Sequence, residues 1–200
     1  MRLPWMSRAE RRLWASARDG AELGALMARW LEGDLASRPG YAARFGPDEE
    51  TADLVPALAG LCRTGWVTTM SQPGVAGPGA DGLWWEQRAA VEGWLSRTDL
   101  LEPLMRAADR AGLLTSVTDH DYGTWDGPIT VTRRDGHAYT TMGGWMSRRD
   151  LARQWPELHR GLVRQITGGV HLAVAAPEYG EDGQRMWDVL AGAVRTEVAR

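Results

Sequence analysis

The residues best suited to chemistry gather around Ser71-Gln72-Pro73-Gly74, which follows a predicted strand and opens a glycine-rich stretch. The hydroxyl and amide side chains of this region can both donate and accept hydrogen bonds. In α/β proteins, ligands commonly bind where strands end, because backbone N–H groups and short polar side chains converge there. The sequence therefore predicts a site for a polar planar ligand or an anion. The expected ligand-binding residues are Thr68, Ser71, Gln72, Gly74, Gln87 and Arg88.

Arg88 carries the most specific expectation, because it lies in a Gln-Arg-Ala segment on a predicted inner strand, beside Ala89 and Ala90. A guanidinium buried there must find acceptors, since an unpaired buried charge is strongly destabilising. The acceptor is either an internal carboxylate, for which Glu92 on the same strand face is a candidate, or an anionic ligand such as a phosphate or a carboxylate. The alternative to a ligand site is thus a Pro-Gly turn with Arg88 in a structural ion pair.

Asp119-His120-Asp121 follows a predicted strand and is the best candidate for acid–base catalysis. A histidine titrates near neutrality, and a neighbouring carboxylate can fix its tautomer. Adjacent residues of a strand point to opposite faces, however, so a solvated turn with Asp119 as its cap is the favoured alternative. The four histidines stand at positions 120, 137, 159 and 171, without the spacing of a known zinc motif. No metal site is expected, and no cofactor is indicated.

Several other chemistries are excluded or disfavoured by residue content. The chain has one cysteine, Cys62, which rules out an intrachain disulfide and is interpreted as a small buried hydrophobic residue. All 23 basic residues are arginine, so neither a Schiff-base lysine nor a P-loop lysine is available. The Gly-x-Ser-x-Gly pattern is also missing, and no Gly-x-Gly-x-x-Gly pattern directly follows a predicted strand, as the dinucleotide-binding motif requires.

Composition describes an ordinary globular chain of 200 residues, with 44% hydrophobic and 24% charged residues. The formal net charge is -3, so binding to nucleic acid or to an anionic membrane is not expected. No run of 18 apolar residues is present, and the first residues lack the apolar region of a signal peptide. We therefore expect a cytoplasmic protein. Its eleven tryptophans are expected mainly in the core, although a few could stack on a planar ligand.

The elements that must position these residues alternate between helical and extended patterns. Helices are predicted over about 7–17, 19–31, 47–61, 98–111, 147–165 and 182–198, with Pro156 expected to kink or split the fifth. Strands are predicted over about 66–70, 87–95, 113–118, 129–132, 137–141 and 170–175. Asp135-Gly136 signals a hairpin, and the intervening helices imply crossover connections. This predicts one α/β domain with a mixed sheet of five or six strands, in which a helical part (1–62) packs on an α/β core (65–198).

Four blocks of the chain occur in an order that is typical of one group of proteins. They are Trp30-Leu31-Glu32-Gly33, Pro39-Gly40-Tyr41, Gly65-Trp66-Val67-Thr68-Thr69-Met70-Ser71-Gln72-Pro73-Gly74 and Gln87-Arg88-Ala89-Ala90-Val91-Glu92-Gly93. With the closing stretch Val174–Gly180, the chain resembles an uncharacterised family of small proteins from actinobacteria and their phages. Cys62-Arg63 departs from that family's pattern, which has Asn-Arg there. The resemblance implies an origin and a site at the Thr-x-x-Ser-Gln-Pro-Gly block, but no reaction.

Two functions remain open at this stage. The first is a binding site for a nucleotide-like or acidic metabolite at the Ser71–Gly74 loop, with any catalysis undetermined. The second is a non-enzymatic interaction module, connected to phage or mobile-element biology through the resemblance. It would use exposed tryptophans, such as Trp5, Trp84 and Trp85, together with arginines, because these residue types are enriched at binding hot spots.

Overall fold

The computed structural model describes the backbone of residues 6–198 and the side chains of residues 6–195, so Trp5 lies outside the described residues. This part of the chain contains seven α-helices and nine strands. The helices are α1 (Arg8–Ser16), α2 (Gly20–Leu31), α3 (Val55–Thr64), α4 (Leu101–Arg110), α5 (Arg148–Arg153), α6 (Arg160–Gly168) and α7 (Arg185–Val198). The strands are β1 (Trp66–Gln72), β2 (Val75–Pro78), β3 (Trp84–Gln87), β4 (Ala90–Leu95), β5 (Leu114–Asp119), β6 (Thr124–Trp125), β7 (Ile129–Arg134), β8 (His137–Met142) and β9 (Val170–Ala175).

Local signals explain where several helices begin. Ser7 and Glu10 form a reciprocal capping box at the start of α1, and the Asp19 side chain accepts the backbone N–H of Glu22 at the start of α2. Ser147 caps α5 in the same way. Pro156 falls between α5 and α6, so the predicted long helix is split, because proline cannot continue the backbone hydrogen bonding of a helix.

The strands form two antiparallel sheets, one in the order β1-β4-β9-β5-β6 and one in the order β2-β3-β7-β8. The α/β class with N-terminal helices is confirmed, but the single mixed sheet is corrected to these two sheets. The connection through α4 joins β4 to β5 within the five-stranded sheet. Strands β4 and β5 run in the same direction, yet β9 lies between them and pairs antiparallel with both. No parallel pair therefore forms from that connection.

The second predicted strand, over 87–95, is divided between the two sheets. Strand β3 pairs with β2 and β7, whereas β4 pairs with β1 and β9. The break falls at Arg88 and Ala89, where the chain passes from one sheet to the other. The glycine-rich stretch after Gly74, for which no strand is predicted from the sequence, contains β2. The hairpin of β7 and β8 around Asp135-Gly136 is confirmed.

The five-stranded sheet lies at the centre of the molecule, with a different layer on each face. One face packs with α3, α4 and α7 in the main hydrophobic core, which includes Leu58, Leu104 and Leu190, whereas α5 and α6 lie over the opposite face. On the opposite face, Ala90, Val131 and Met142 join the two sheets in a smaller core. Six of the eleven tryptophans are buried: Trp14, Trp30, Trp66, Trp94, Trp155 and Trp187. The expectation that most tryptophans serve the core is therefore confirmed for the described residues.

Among the residues that the structure describes, no helix has the length and apolar content needed to cross a membrane.

Candidate functional site

A cavity of about 430 Å³ opens where the segment after α2 meets the edge strand β1. Such a volume lies within the range of small-molecule sites. We call it the Arg38 cavity. Its wall is made by α2 and the following segment (Trp30, Leu31, Arg38, Tyr41, Pro47, Asp48, Glu50, Thr51), by Leu58, by β1 (Thr68, Thr69, Met70, Ser71, Gln72) and by β8 (Thr140, Met142). Three residues of the predicted site therefore line it: Thr68, Ser71 and Gln72.

The three predicted residues have different surroundings in this wall. The Thr68 hydroxyl is buried and lies 3.3 Å from the Cys62 Sγ atom. The Gln72 amide nitrogen donates to the carbonyl oxygens of Arg88 at 3.0 Å and Val131 at 2.9 Å, so this side chain fastens β1 to the second sheet. Ser71 is half-buried, and its hydroxyl makes no side-chain hydrogen bond within the described part of the chain. Ser71 is therefore the predicted residue best able to contact a ligand.

Arg38 supplies the cationic group of the cavity, and sequence reasoning missed it. Its Cζ atom lies 4.9 Å from the ring centroid of Trp30 and 4.7 Å from that of Tyr41. Its Nη2 donates to the Thr69 carbonyl oxygen at a long 3.4 Å, while its Nε–H is shielded from solvent and has no acceptor among the described residues. Burial lowers the pKa of Arg38 below its ordinary value. This guanidinium has spare hydrogen-bonding capacity.

A close backbone approach places Arg38 beside β1. Gly40 has a φ of +65°, and a Cβ atom there would lie 2.1 Å from the Gln154 carbonyl oxygen. Only glycine fits both requirements, so the Arg38-Pro39-Gly40-Tyr41 segment can lie directly against the end of α5. The Tyr41 hydroxyl in turn lies 3.3 Å from both carboxylate oxygens of Asp48, which is exposed at the cavity rim. The segment is thereby held over the cavity.

The other predicted binding residues lie together elsewhere, at the junction of the two sheets. The Arg88 Nε donates to the Thr130 carbonyl oxygen at 3.1 Å, and its Nη1 donates to the carbonyl oxygens of Ala176 at 2.9 Å and Pro177. The guanidinium also lies 3.9 Å from the ring centroid of Tyr179. No ion pair among the described residues involves Arg88, so its partners are carbonyl groups and not Glu92.

Gln87 and Gly74 belong to the same junction. The Gln87 carbonyl oxygen accepts the Gly180 backbone N–H at 2.9 Å, and a Cβ atom on Gly74 would lie 2.2 Å from the Gly180 carbonyl oxygen. The structure thus divides the predicted set into two groups, one in the Arg38 cavity and one around Gly180. A ligand role for Gly74, Gln87 and Arg88 stays a prediction.

A second, smaller cavity of about 40 Å³ lies between the central sheet and α5 and α6. We call it the Glu92 cavity. Its polar lining includes Thr69, Glu92, Thr118, His120, Gln154 and His171. Thr69 lines both cavities, so the two adjoin at the edge strand. The register explains the grouping, because His171 lies opposite Thr118 and diagonal to Glu92 on one face of the sheet.

The ionisable groups of the Glu92 cavity are shifted toward their uncharged forms. Glu92 Oε2 accepts the Gly143 N–H at 2.7 Å, and burial raises the pKa of this carboxyl. Burial also lowers the pKa of His171 to about 4, and its Nε2 lies 2.8 Å from the Ile166 carbonyl oxygen. The pKa of His120 is lowered by burial and by the positive charge of Arg148. These side chains can exchange protons or hydrogen-bond an uncharged molecule.

The predicted Asp119-His120-Asp121 group is not assembled as a catalytic unit. Asp119 Oδ1 accepts the backbone N–H groups of Asp121 and Tyr122, both at 3.1 Å, which is the capped turn of the alternative interpretation. Asp121 forms an exposed ion pair with Arg148. His120 instead faces His171, with ring centroids 5.4 Å apart. Catalysis by His120, Asp119 and Asp121 stays a prediction.

The remaining candidates can be placed briefly. Cys62 is fully buried, and burial raises the pKa of its thiol, as suits a core residue. Within the described residues, no group of three or more His, Cys, Asp or Glu side chains is arranged to hold a metal ion.

Comparison with known proteins identifies a family whose function is unknown. Residues 9–197 match the model of a family described as "Domain of unknown function (DUF6919)". A comparison with curated proteins gives no significant match. Because the family model covers nearly the whole chain, the protein belongs to this DUF6919 family.

Proposed function

We propose that the protein binds a small polar molecule with an anionic group in the Arg38 cavity. The observation that carries this proposal is the guanidinium of Arg38, which lies over the rings of Trp30 and Tyr41 and forms no ion pair with a carboxylate among the described residues. Burying a charge without a full set of partners is unfavourable, and a bound anion would supply them.

The chemistry of the wall favours a carboxylate or a phosphate near Arg38. The planar guanidinium can bind two oxygens of such a group through neighbouring N–H donors, and its Nε–H is already shielded from solvent without an acceptor. The Ser71 hydroxyl lies in the same wall and can donate a further hydrogen bond. The ligand classes expected from the sequence, an acidic metabolite or a nucleotide-like molecule, both carry such a group.

Two carboxylates limit where the anion can lie. Asp48 and Glu50 are exposed at the rim of the cavity, and burial together with the charge of Asp48 raises the pKa of Glu50. An anion at the rim would be repelled by both groups. We therefore place the anionic group in the inner part of the cavity, beside Arg38 and Ser71.

A thermal-shift screen with carboxylic acids, amino-acid-like acids, nucleotides and nucleobases tests this proposal. A ligand at about 100 times its Kd stabilises the folded state by about 2.7 kcal/mol. For a domain of this size, that corresponds to a rise in Tm of roughly 5–10 °C. We expect acids to give such a shift, and Arg38→Gln to abolish it.

Arg63→Gln is the matched control, because Arg63 is an exposed arginine on α3 that pairs with Glu32 and does not line the cavity. It should leave the shift unchanged. Isothermal titration of each hit against both variants then gives the loss of affinity directly. The proposal fails if no acid stabilises the protein, or if Arg38→Gln binds as tightly as the wild type.

The interaction module remains a second candidate, because tryptophans are exposed in the structure. Trp84 is 50% and Trp145 57% exposed, and Trp85 is half-buried. Exposed tryptophans are common at binding hot spots. The connection to phage or mobile-element biology depends on the family resemblance alone. A quantitative pull-down from the native host tests this candidate, with Trp84→Ser and Trp145→Ser as the comparison. A partner retained equally by the wild type and both variants would count against this surface.

A further inference from the structure

We infer that the Glu92 cavity is a second recognition site, which takes the amide edge of an uncharged planar heterocycle such as a nucleobase lactam. This site is distinct from the Arg38 cavity and does not depend on the function proposed for it. The inference begins with the position of Glu92, whose carboxyl group is turned toward the face of the central sheet that α5 and α6 cover.

Glu92 has no cationic partner to account for its burial. None of the ion pairs between described residues includes it, and its carboxyl group makes one hydrogen bond within the described part of the chain, from the N–H of Gly143 to Oε2. A buried carboxyl group in this setting favours its protonated form, in agreement with the raised pKa. A protonated carboxyl offers one O–H donor and one carbonyl acceptor side by side.

The histidines around this carboxyl are also uncharged near neutral pH. The Ile166 carbonyl can only accept, so the nearby His171 Nε2 carries the hydrogen and Nδ1 is left as an acceptor. His120 and His171 are the other titratable groups that line the cavity, and Arg148 lies against the His120 side of it. A charged group entering this space would find no opposite charge on the lining side chains. The lining therefore selects an uncharged ligand that both donates and accepts hydrogen bonds.

The size of the cavity and the rings beside it restrict the ligand further. A volume of about 40 Å³ holds roughly three water molecules, which suits the edge of an amide but not a whole ring. Two tryptophans contact residues that line the cavity, Trp125 through Gly143 and Trp145 through His120. Trp125 donates its Nε1–H to the Gly143 carbonyl oxygen at 2.7 Å, and Trp145, 57% exposed, has its ring centroid 6.4 Å from that of His120. An indole at this position can stack on a planar ring whose amide edge enters the cavity.

Binding of four lactam probes (uracil, thymine, hypoxanthine and 2-pyridone) tests the inference, measured by isothermal titration and by quenching of tryptophan fluorescence. Each probe is paired with the analogue that is methylated at every lactam nitrogen, which keeps the ring and loses the lactam N–H donors. We expect at least one lactam to bind and its N-methylated analogue to bind at least tenfold more weakly. Trp145→Ala should weaken binding by roughly 5- to 100-fold, as for other stacked bases.

The decisive comparison uses Glu92→Gln, because glutamine keeps one donor and one acceptor but cannot ionise. As pH rises above 4.5, the ordinary value for a glutamate, wild-type affinity should fall once Glu92 loses its proton, whereas Glu92→Gln should not show this fall. Trp84→Ala is the matched control, since Trp84 is equally exposed but pairs beside the β7–β8 turn, at the opposite end of the second sheet. It should bind like the wild type.

Three results would overturn the inference. One is that no lactam binds the folded wild-type protein at the acid end of the pH series, where Glu92 keeps its proton. Another is that the N-methylated analogues bind as tightly as the lactams. The third is that Trp145→Ala binds like Trp84→Ala. Because the probes carry no anionic group and Arg38 is not varied, failure here leaves the proposal for the Arg38 cavity to be judged by its own screen.

Discussion

Replacement of Arg88 by alanine should destabilise the protein strongly in the absence of any ligand. The guanidinium donates to three backbone carbonyl groups, those of Thr130, Ala176 and Pro177, and stacks on Tyr179. These contacts connect β7 with the segment after β9. Arg88→Ala would remove them all and leave the carbonyl oxygens to whatever water can reach them.

The size of the effect follows from those contacts. Hydrogen bonds from a charged donor contribute about 1.5–3 kcal/mol each, and an exposed cation–π contact about 0.5–1 kcal/mol. Because the site is half-buried and water can replace part of the loss, we expect a decrease of about 3–5 kcal/mol in the free energy of unfolding. For a chain of this length, this lowers the Tm by roughly 6–20 °C.

Urea unfolding followed by tryptophan fluorescence measures the change, and Arg133→Ala is the control. The Arg133 guanidinium lies 4.8 Å from the same Tyr179 ring but is exposed. This control should change stability by no more than about 0.5 kcal/mol. Arg88→Lys keeps the charge without the planar fork and should fall between the two. If Arg88→Ala unfolds like Arg133→Ala, the structural role is refuted, and a ligand would be the remaining reason for this arginine.

Three further predictions concern stability. The pKa of Glu92 is raised in the folded state, so its contribution to the free energy of unfolding is complete below the ordinary value of 4.5 and is lost as pH rises through the folded pKa. In urea unfolding, the stability of Glu92→Gln relative to the wild type should therefore increase with rising pH. If the stabilities of the two proteins change with pH in parallel, this prediction is wrong. The pKa of His171 is lowered from 6.5 to about 4, so its contribution to the free energy of unfolding is present above pH 6.5 and is lost as pH falls through about 4. The wild type should therefore lose at most about 3 kcal/mol of stability in acid through this group, and His171→Gln should not show that loss. If the variant loses as much stability in acid as the wild type, the ring is not held neutral by burial. A Cβ atom on Gly93 would lie 2.2 Å from the Val67 carbonyl oxygen, so Gly93→Ala should lower the Tm sharply. Gly60 lies on α3 with open space around the position of a Cβ atom, so Gly60→Ala should raise the free energy of unfolding by about 0.5–1 kcal/mol, measured by urea unfolding.

The sequence predicts most elements of this fold because their signals are local. The caps at Ser7, Asp19 and Ser147 and the Asp135-Gly136 turn each act over a few residues. Pairing between strands has no such signal. Strand β9 enters between β4 and β5 from more than 50 residues away in the chain, and nothing in the pattern of those strands specifies an antiparallel neighbour over a parallel one. That is why the helices and strands are predicted while the arrangement of the sheets is not.

In the candidate site, too, residues that share one local element are predicted together, whereas contacts between distant segments are not. Thr68, Ser71 and Gln72 share a strand, so their common cavity follows from one local element. The segment that carries Arg38 packs, through Gly40, against the backbone of Gln154, more than 110 residues later. A contact of this kind leaves no trace in the spacing of either segment.

Arg88 and Glu92 show how one broken strand changes the chemistry of two residues. On a continuous strand they would share a face, four residues apart, and the arginine could pair with the carboxylate. The chain instead leaves one sheet at Arg88 and enters the other at Ala90. The arginine then finds carbonyl groups at the junction, while the carboxyl is carried into a cavity with two histidines and no cation partner among the described residues. The separation of this pair therefore explains why Arg88 pairs with backbone carbonyl groups and why Glu92 has no cationic partner among the described residues.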